Sequence, residues 1–443
     1  MKKSFLLFLV LYTVQISAQE VELSVGLDVR GILGSQKDIP FWFFTETGTA
    51  IGASSNISAI VFAKATYFLS NNAQLEAGVS AFYRDDVPTP FQRNNLYASF
   101  KNNAIKITAG ARKQNEEAYG LSMTNKNIIW NSNARAIPGF LVEAHNPIKI
   151  SNVFSVDWGI GNYFLNDKRY VSNAMVHYKR LGVTTKINEK NKITVRLQHV
   201  AQWGGTSPDF GKLPQDFSAF VSVFFAKKTA TPGENVNALG NHIGSILVDY
   251  EFNTKTGDFS IYYDHLFEDG SGTRYANFPD GLWGLIYTPK NKKIITHLLY
   301  EFATTLDQSG TTGVSGFDNY FSNNLYRSGW TYEQTIIGLP FILVDKNIEI
   351  TNLTSPIVSN RVQVHHIGIS GMYKALNWKV KSAFATHYGT YRQPFATPQK
   401  TLSNALWLQY DFKKYGKALL QSGFDTTEST TIFGLGIGYR YEF

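Results

Sequence analysis

Apolar and polar residues alternate with period two in segment after segment of this chain. In VELSVGLDVR, Val21, Leu23, Val25, Leu27 and Val29 share one face and Glu22, Asp28 and Arg30 the other. QLEAGVSAFYR sets Leu75, Ala77, Val79, Ala81 and Tyr83 against Glu76 and Arg84. KITVRLQHVAQW sets Ile193, Val195, Leu197, Ala201 and Trp203 against Lys192, Arg196, Gln198 and Gln202, with His199 interrupting the apolar side. DFSIYYDHLF, IITHLLYEFA, NWKVKSAFATHY and TLSNALWLQYDF behave alike, and Asn-Asn, Asn-Glu-Lys-Asn and Lys-Tyr-Gly turns punctuate the series. Successive side chains of a strand point to opposite sides of the sheet. Each segment of about ten residues therefore reads as a strand with one greasy and one wet face.

The chain ends TIFGLGIGYRYEF. Phe433, Leu435, Ile437, Tyr439, Tyr441 and Phe443 alternate with Gly434, Gly436, Gly438, Arg440 and Glu442. A terminal aromatic after alternating apolar positions resembles the signature by which outer-membrane barrels are recognised for insertion. A soluble β-sandwich would alternate too, but its strands need not carry aromatic ends such as Tyr83, Trp203, Tyr410 and Phe412. A Lys or Arg facing lipid at mid-membrane costs about 2–4 kcal/mol. A one-residue slip at 192–203 would turn Lys192 and Arg196 outward together, so that register is pinned. The clear runs number about 14 to 17, and bacterial single-chain barrels have even strand numbers. The expectation is an all-β, antiparallel up-and-down transmembrane barrel of about 18 strands with both termini periplasmic.

Residues 1–18 have the three parts of a secretory signal: Lys2 and Lys3, an apolar run from Phe5 to Val14, then Ile16-Ser17-Ala18. Cleavage is expected after Ala18. With no cysteine in the chain, an acylated anchor and thiolate metal sites are excluded. Residues 19–443 show no linker and read as a single barrel domain. Outside the signal no apolar stretch approaches the roughly 20 residues of a membrane helix. The 14% aromatic content with a mean hydropathy of −0.17 suits strands whose wet faces dilute the average. The formal charge of +8 is scattered, with Lys290, Lys292 and Lys293 the main cluster, so nucleic acid is not an expected partner.

Long aromatic connections interrupt the strands at 85–95, 113–139, 203–241, 265–284 and 306–340. Loops of this length in barrels face outside or fold inward as plugs, and these are too rich in Trp, Tyr and Phe for disorder. Three stretches, QWGGTSPDFGKLP, TRYANFPDGLWGLIY and GFDNYFSNNLYRSGWTYEQTIIGLP, carry a resemblance. In the last, Asp318, Tyr320, Asn323, Tyr326, Gly329, Trp330, Tyr332, Ile337, Gly338 and Pro340 fall in order. The chain resembles the Wzi family of capsule-assembly outer-membrane proteins over essentially its whole length. That resemblance implies an 18-stranded barrel, a lumen occluded by inward-folded extracellular loops, and a lectin-like role in holding capsular polysaccharide at the bacterial surface. The family is described with a small periplasmic helical bundle, for which no amphipathic helix stands near this N-terminus.

The loops hold chemistry suited to sugars, because pyranose C–H faces lie on aromatic rings and hydroxyls take planar partners such as Asp, Asn and Arg. The candidate binding residues are Trp203 with Asp209, Arg274 with Tyr275, Asp280 with Trp283, Asp318 with Tyr320, and Arg327 with Trp330. The same residue types pack and turn plug loops, which is the competing reading for each. No H-E-x-x-H, G-x-S-x-G or phosphate-cradling loop occurs, so no catalysis and no cofactor are expected. EDGSG at 268–272 offers hard oxygen donors but lacks a complete calcium-loop pattern and reads as a turn. Expected partners are surface polysaccharide, outer-membrane lipid and the barrel insertion machinery, with the chain working as a monomer. The rival reading is a porin, a diffusion channel for small solutes, which shares every strand-level feature.

Overall fold

The computed structural model describes residues 21–70, 72–227, 238–292, 294–310 and 318–443. The expected signal, residues 1–18, lies outside them. Eighteen long antiparallel strands form one sheet, joined by the two-residue ladder Ile148–Lys149. The sheet closes where the first strand, Val21–Gly34, pairs with the last, Thr431–Glu442, from Gly26↔Glu442 to Gly34↔Gly434. Closure leaves no unpaired edge, so every backbone group of the wall finds a partner inside lipid.

The alternation read from the sequence maps onto the two faces of the wall. Phe433, Leu435, Ile437 and Tyr439 are exposed on the outside, as are Val195 and Leu197. Arg196 points inward toward Asp157, and Lys192 pairs with Glu251 at 2.9 Å. Other inward charges pair as well: Lys106 and Arg180 both reach Glu143, at 2.8 and 3.0 Å, and Arg112 reaches Glu76 at 2.9 Å. Near the short-turn rim an aromatic row runs round the outside, with Tyr250, Phe252 and Phe259 stacked ring to ring and Tyr287 tilted against Phe259.

One rim carries short turns and both described chain ends, and the opposite rim carries the long connections, which by the rule for such barrels face the cell exterior. The strand Phe91–Asn102 begins inside the stretch expected as a loop at 85–95, shortening that connection to 85–90. A long connection at 35–56 was not expected. Its Phe41–Phe44 helix buries Trp42 and Phe43 in the lumen, where the Trp42 indole donates to the Ser403 carbonyl at 3.2 Å. The connection from 305 onward runs on past Pro340 to residue 361, where the strand Val362–Tyr373 begins.

Candidate functional site

Two connections enter the barrel and lock together. Residues 112–138 descend through the lumen, held by inward side chains of the wall. The Glu301 carboxylate accepts from Ser122 Oγ at 2.5 Å, from the Met123 amide at 2.7 Å and from the Tyr262 hydroxyl at 2.5 Å. Lys126 Nζ reaches Asp249 at 2.5 Å, Asn127 Nδ2 donates to Gln198 at 3.0 Å, and the Ile128 amide donates to Asp264 at 3.1 Å. The loop reaches down to Tyr119, whose ring stacks on His297 at a centroid distance of 3.5 Å. His297 is the third residue of the strand Ile295–Thr304, close to the short-turn rim. A buried polar network of this kind holds one geometry, because each unpaired group would carry its full desolvation cost.

Residues 305–310 and 318–361 fold over this loop from the exterior. The Asn131 amide donates to the Ile337 carbonyl at 3.0 Å and the Leu339 amide to the Ile128 carbonyl at 2.9 Å. Asn131 and Asn133 side-chain amides donate to Gly338 and Ile336 carbonyls, at 2.9 and 3.1 Å. Gln202, on the wall, donates to the Gly329 carbonyl at 3.0 Å. The motif GWTYEQTIIGLP is therefore the inner face of the loop cap.

This arrangement separates the residue pairs that adjacency in sequence had joined. Trp330 is buried, edge-on to Trp130 at 6.0 Å, and donates to the Ile129 carbonyl. Tyr320 is buried and its hydroxyl meets Asn277 Nδ2 at 2.5 Å. Asp280 is buried and accepts from the Gln308 amide at 2.8 Å and the Asp307 amide at 3.2 Å, tying the 268–280 connection to the next one. Asp318 is buried against Ser309 Oγ at 2.7 Å. Trp203 is buried on the outer wall and donates to Asn162 at 3.0 Å. These five side chains hold the loops and wall in place.

The other five are accessible, in two places. Tyr275 and Trp283 lie outside the barrel, stacked on His265 at 4.2 Å and on Tyr263 at 3.9 Å, with Arg274 exposed beside them. Asp209 and Arg327 meet instead on the outer surface around a residue that the sequence had not singled out, Tyr170. The Tyr170 hydroxyl donates to the Asp209 carboxylate, its amide donates to Ser328 Oγ at 2.9 Å, and Arg327 acts on the phenol electrostatically. Burial and the bond to Asp209 hold that phenol up at about 12, despite Arg327. Beside it, Asp167, Lys168, Ser328, Gln334 and Lys346 line a small cleft of about 40 Å³. No motif marks Tyr170. Its only sequence signal is an aromatic residue in an Asn-Asp-Lys-Arg-Tyr turn.

Where the 268–280 segment meets residues 305–310 and 318–320, Glu268, Asp269, Asp280, Asp307 and Asp318 gather without an ion pair among the described residues. Burial pushes the Asp280 and Asp318 carboxyls up to about 6, against the amide and hydroxyl donors that lower them. Burial and the neighbouring Asp318 push Glu268 well above the usual range. Within EDGSG, Asp269 Oδ1 accepts from the Ser271 amide at 2.7 Å, a turn closed on itself. His365 and His366 point to opposite sides of the wall, to Tyr300 at 2.8 Å and to the Leu121 carbonyl at 2.7 Å.

The sequence matches the family model for capsule assembly protein Wzi over residues 44–341. Among solved structures the fold is similar to the Escherichia coli outer-membrane protein Wzi, described as a carbohydrate-binding β-barrel involved in group 1 capsule assembly. The TM-score is 0.59 at 13% identity, covering 94% of this chain and 83% of that one. It is also similar to Pseudomonas aeruginosa OccK5 (OpdH), with a TM-score of 0.53 at 8% identity, covering 96% and 98% of the two chains. Pseudomonas aeruginosa OccD3 (OpdP) gives 0.51 at 11% identity, covering 96% and 91%. No curated protein matches the chain.

Proposed function

Since this chain belongs to the Wzi family of capsule assembly proteins and is an outer-membrane β-barrel, we propose that it holds capsular or exported polysaccharide at the cell surface, acting as a lectin rather than an enzyme. The observation that carries this reading is the interlocked pair of loops. They cross the lumen hydrogen-bonded to its wall and to each other, and leave a polar, partly aromatic surface at the exterior. A wall that binds polymer needs a rigid outer face, whereas a diffusion channel needs an open lumen, and the loops favour the first. The proposed contacts are Asp209 and Arg327 around Tyr170 as the aromatic platform, with Arg274 a separate polar contact on the 268–280 connection. Tyr275 and Trp283 sit farther out, where lipid headgroups compete for them. Many weak contacts to a repeating polymer add through avidity, so low affinity per repeat suffices for retention. The chain acts as a monomer, and residues 1–18 direct its export.

The test is retention of capsular polysaccharide by purified protein in detergent, with and without the double substitution Asp209→Ala, Arg327→Ala. Asp209 is exposed and Arg327 half-buried, so the unfolding free energy should fall by no more than about 1 kcal/mol while retention is lost. A deletion strain should shed its capsule; normal surface retention in that strain would count heavily against the reading. Planar-bilayer recordings separate the rival: a closed barrel conducts poorly, and large conductance steps would favour the diffusion channel.

A further inference from the structure

The outward wall of three neighbouring strands, Met175–Asn188, Asn191–Trp203 and Asn241–Asn253, breaks the apolar pattern. His177, Lys179, His199 and His242 all point away from the lumen, on the same side as Leu181, Val183, Val195 and Leu197. His199 lies six residues above Ile193, which pairs with Tyr250 of the lower aromatic row. At roughly 3.3 Å per residue that is about 20 Å along the strand. With a strand tilt of roughly 40° it is about 15 Å up an apolar band about 25 Å tall. Bare, these four groups would face hydrocarbon.

They are covered by a helix from the 204–240 connection. Phe217–Phe224 lies against the outside of the wall, capped by the Asp216 side chain on the Ala219 amide at 2.8 Å. Ala219 and Val223 bury against Ala201 and Trp203, and the rings of Phe220 and Phe224 pack on His177 at 5.2 and 5.3 Å. Lys179 Nζ donates to the Phe224 carbonyl at the helix C-terminus and sits over the Phe224 ring at 4.4 Å. A C-terminal carbonyl and the helix dipole both favour a cation there. His199 and His242 bond to each other at 3.0 Å, and His242 to the Leu239 carbonyl at 2.9 Å. Of the helix's two serines, Ser222 donates its Oγ to the Ser218 carbonyl at 3.0 Å, while Ser218 is exposed.

The far side of this helix carries Phe217, 79% exposed, and Phe225 just past its end, 64% exposed. Directly below it the row Leu181↔Leu197 is bare and apolar, continuous with the lipid-facing band. We propose that the segment Phe217–Phe225 is a lipid-inserted flap: it seals the His–Lys patch of the wall and presents Phe217 and Phe225 to acyl chains of the outer leaflet. The exposed aromatic area then has a solvent that suits it, and the covered lysine and histidines never meet hydrocarbon.

The chain has no cysteine, so single labels report cleanly. Phe217→Cys, Phe225→Cys, Leu181→Cys and Leu353→Cys would each carry a nitroxide on full-length protein in phosphatidylethanolamine vesicles. Leu181 marks the apolar band, and Leu353, 87% exposed in the 305–361 connection, marks water. Accessibility to oxygen relative to a water-soluble nickel complex should be high at 217 and 225, matching Leu181→Cys. A ratio matching Leu353→Cys would place the helix in water and overturn the proposal. Low accessibility to both quenchers would mean protein cover, such as a second copy, and would overturn it equally.

Discussion

The Trp330 indole donates to the Ile129 carbonyl at 2.6 Å, joining two loops whose residues stand 201 positions apart. Both partners are buried, and the ring also packs edge-on to Trp130. Trp330→Ala removes a buried ring and opens a cavity, at a cost of about 3–5 kcal/mol. Trp330→Phe keeps most of the packing and loses one hydrogen bond, at a cost of about 1 kcal/mol. Thermal unfolding in detergent should rank them in that order. Conductance should rise for Trp330→Ala alone; an unchanged conductance would mean that the 112–138 loop holds the lumen without its partner.

Asp280 sets a pH dependence on the loop cap. Its folded carboxyl sits at about 6, above the ordinary value of 3.8, because burial disfavours the charge. The folded state therefore binds more protons than the unfolded state between about pH 4 and 6. The contribution of this group is fully present below about pH 4 and is lost as pH rises through about 6, and Asp318 acts in the same direction. Protease nicking of the 305–361 connection should be slower at pH 5 than at pH 8. Asp280→Asn, which keeps an acceptor for the Gln308 and Asp307 amides, should shrink that difference and leave the Asp318 share; an unchanged difference would assign it elsewhere.

Phe443 tests the terminal aromatic as an address. Its amide donates to the Val25 carbonyl at 2.8 Å, which any residue can do, while its ring is exposed and touches Tyr441 edge-on at 4.8 Å. Phe443→Ser should leave the melting temperature of the assembled barrel nearly unchanged and lower the amount found in the outer membrane. A loss of stability with normal assembly would make the ring a structural contact instead.

Cleavage after Ala18 is checked by N-terminal sequencing of protein isolated from envelope fractions. Mature chains should begin at Gln19. Chains still carrying Met1 would show an uncleaved segment.

Strand identity and the inward and outward faces were legible in the sequence, because period-two patterning is a local property and lipid penalises each misplaced charge separately. The strand count was not, since the clear runs number about 14 to 17 and the even total follows from barrel closure. The 192–203 strand shows this: Lys192 and Arg196 face away from lipid on the alternation alone. The same strand shows where the reading stops. Trp203 lies on the lipid side as the alternation requires, with His199 interrupting that side, but the helix that packs on Trp203 comes from a loop with no period to place it.

The candidate site followed the same division. Trp, Tyr, Asp and Arg in the long loops were visible as suitable chemistry, and neighbours in sequence were paired on that basis. The fold sent Asp280 inward to hold Gln308 while Trp283 stacks outside on Tyr263, and it brought Asp209 and Arg327 to Tyr170 from three different loops. Adjacent residues of a strand face opposite sides, and loop residues meet only through long-range closure. The chain alone therefore determined a membrane barrel with aromatic, polar loops. Only the tertiary structure decided which of those side chains pack the lumen and which meet the outside, since burial is a property of what lies across a contact rather than along the chain.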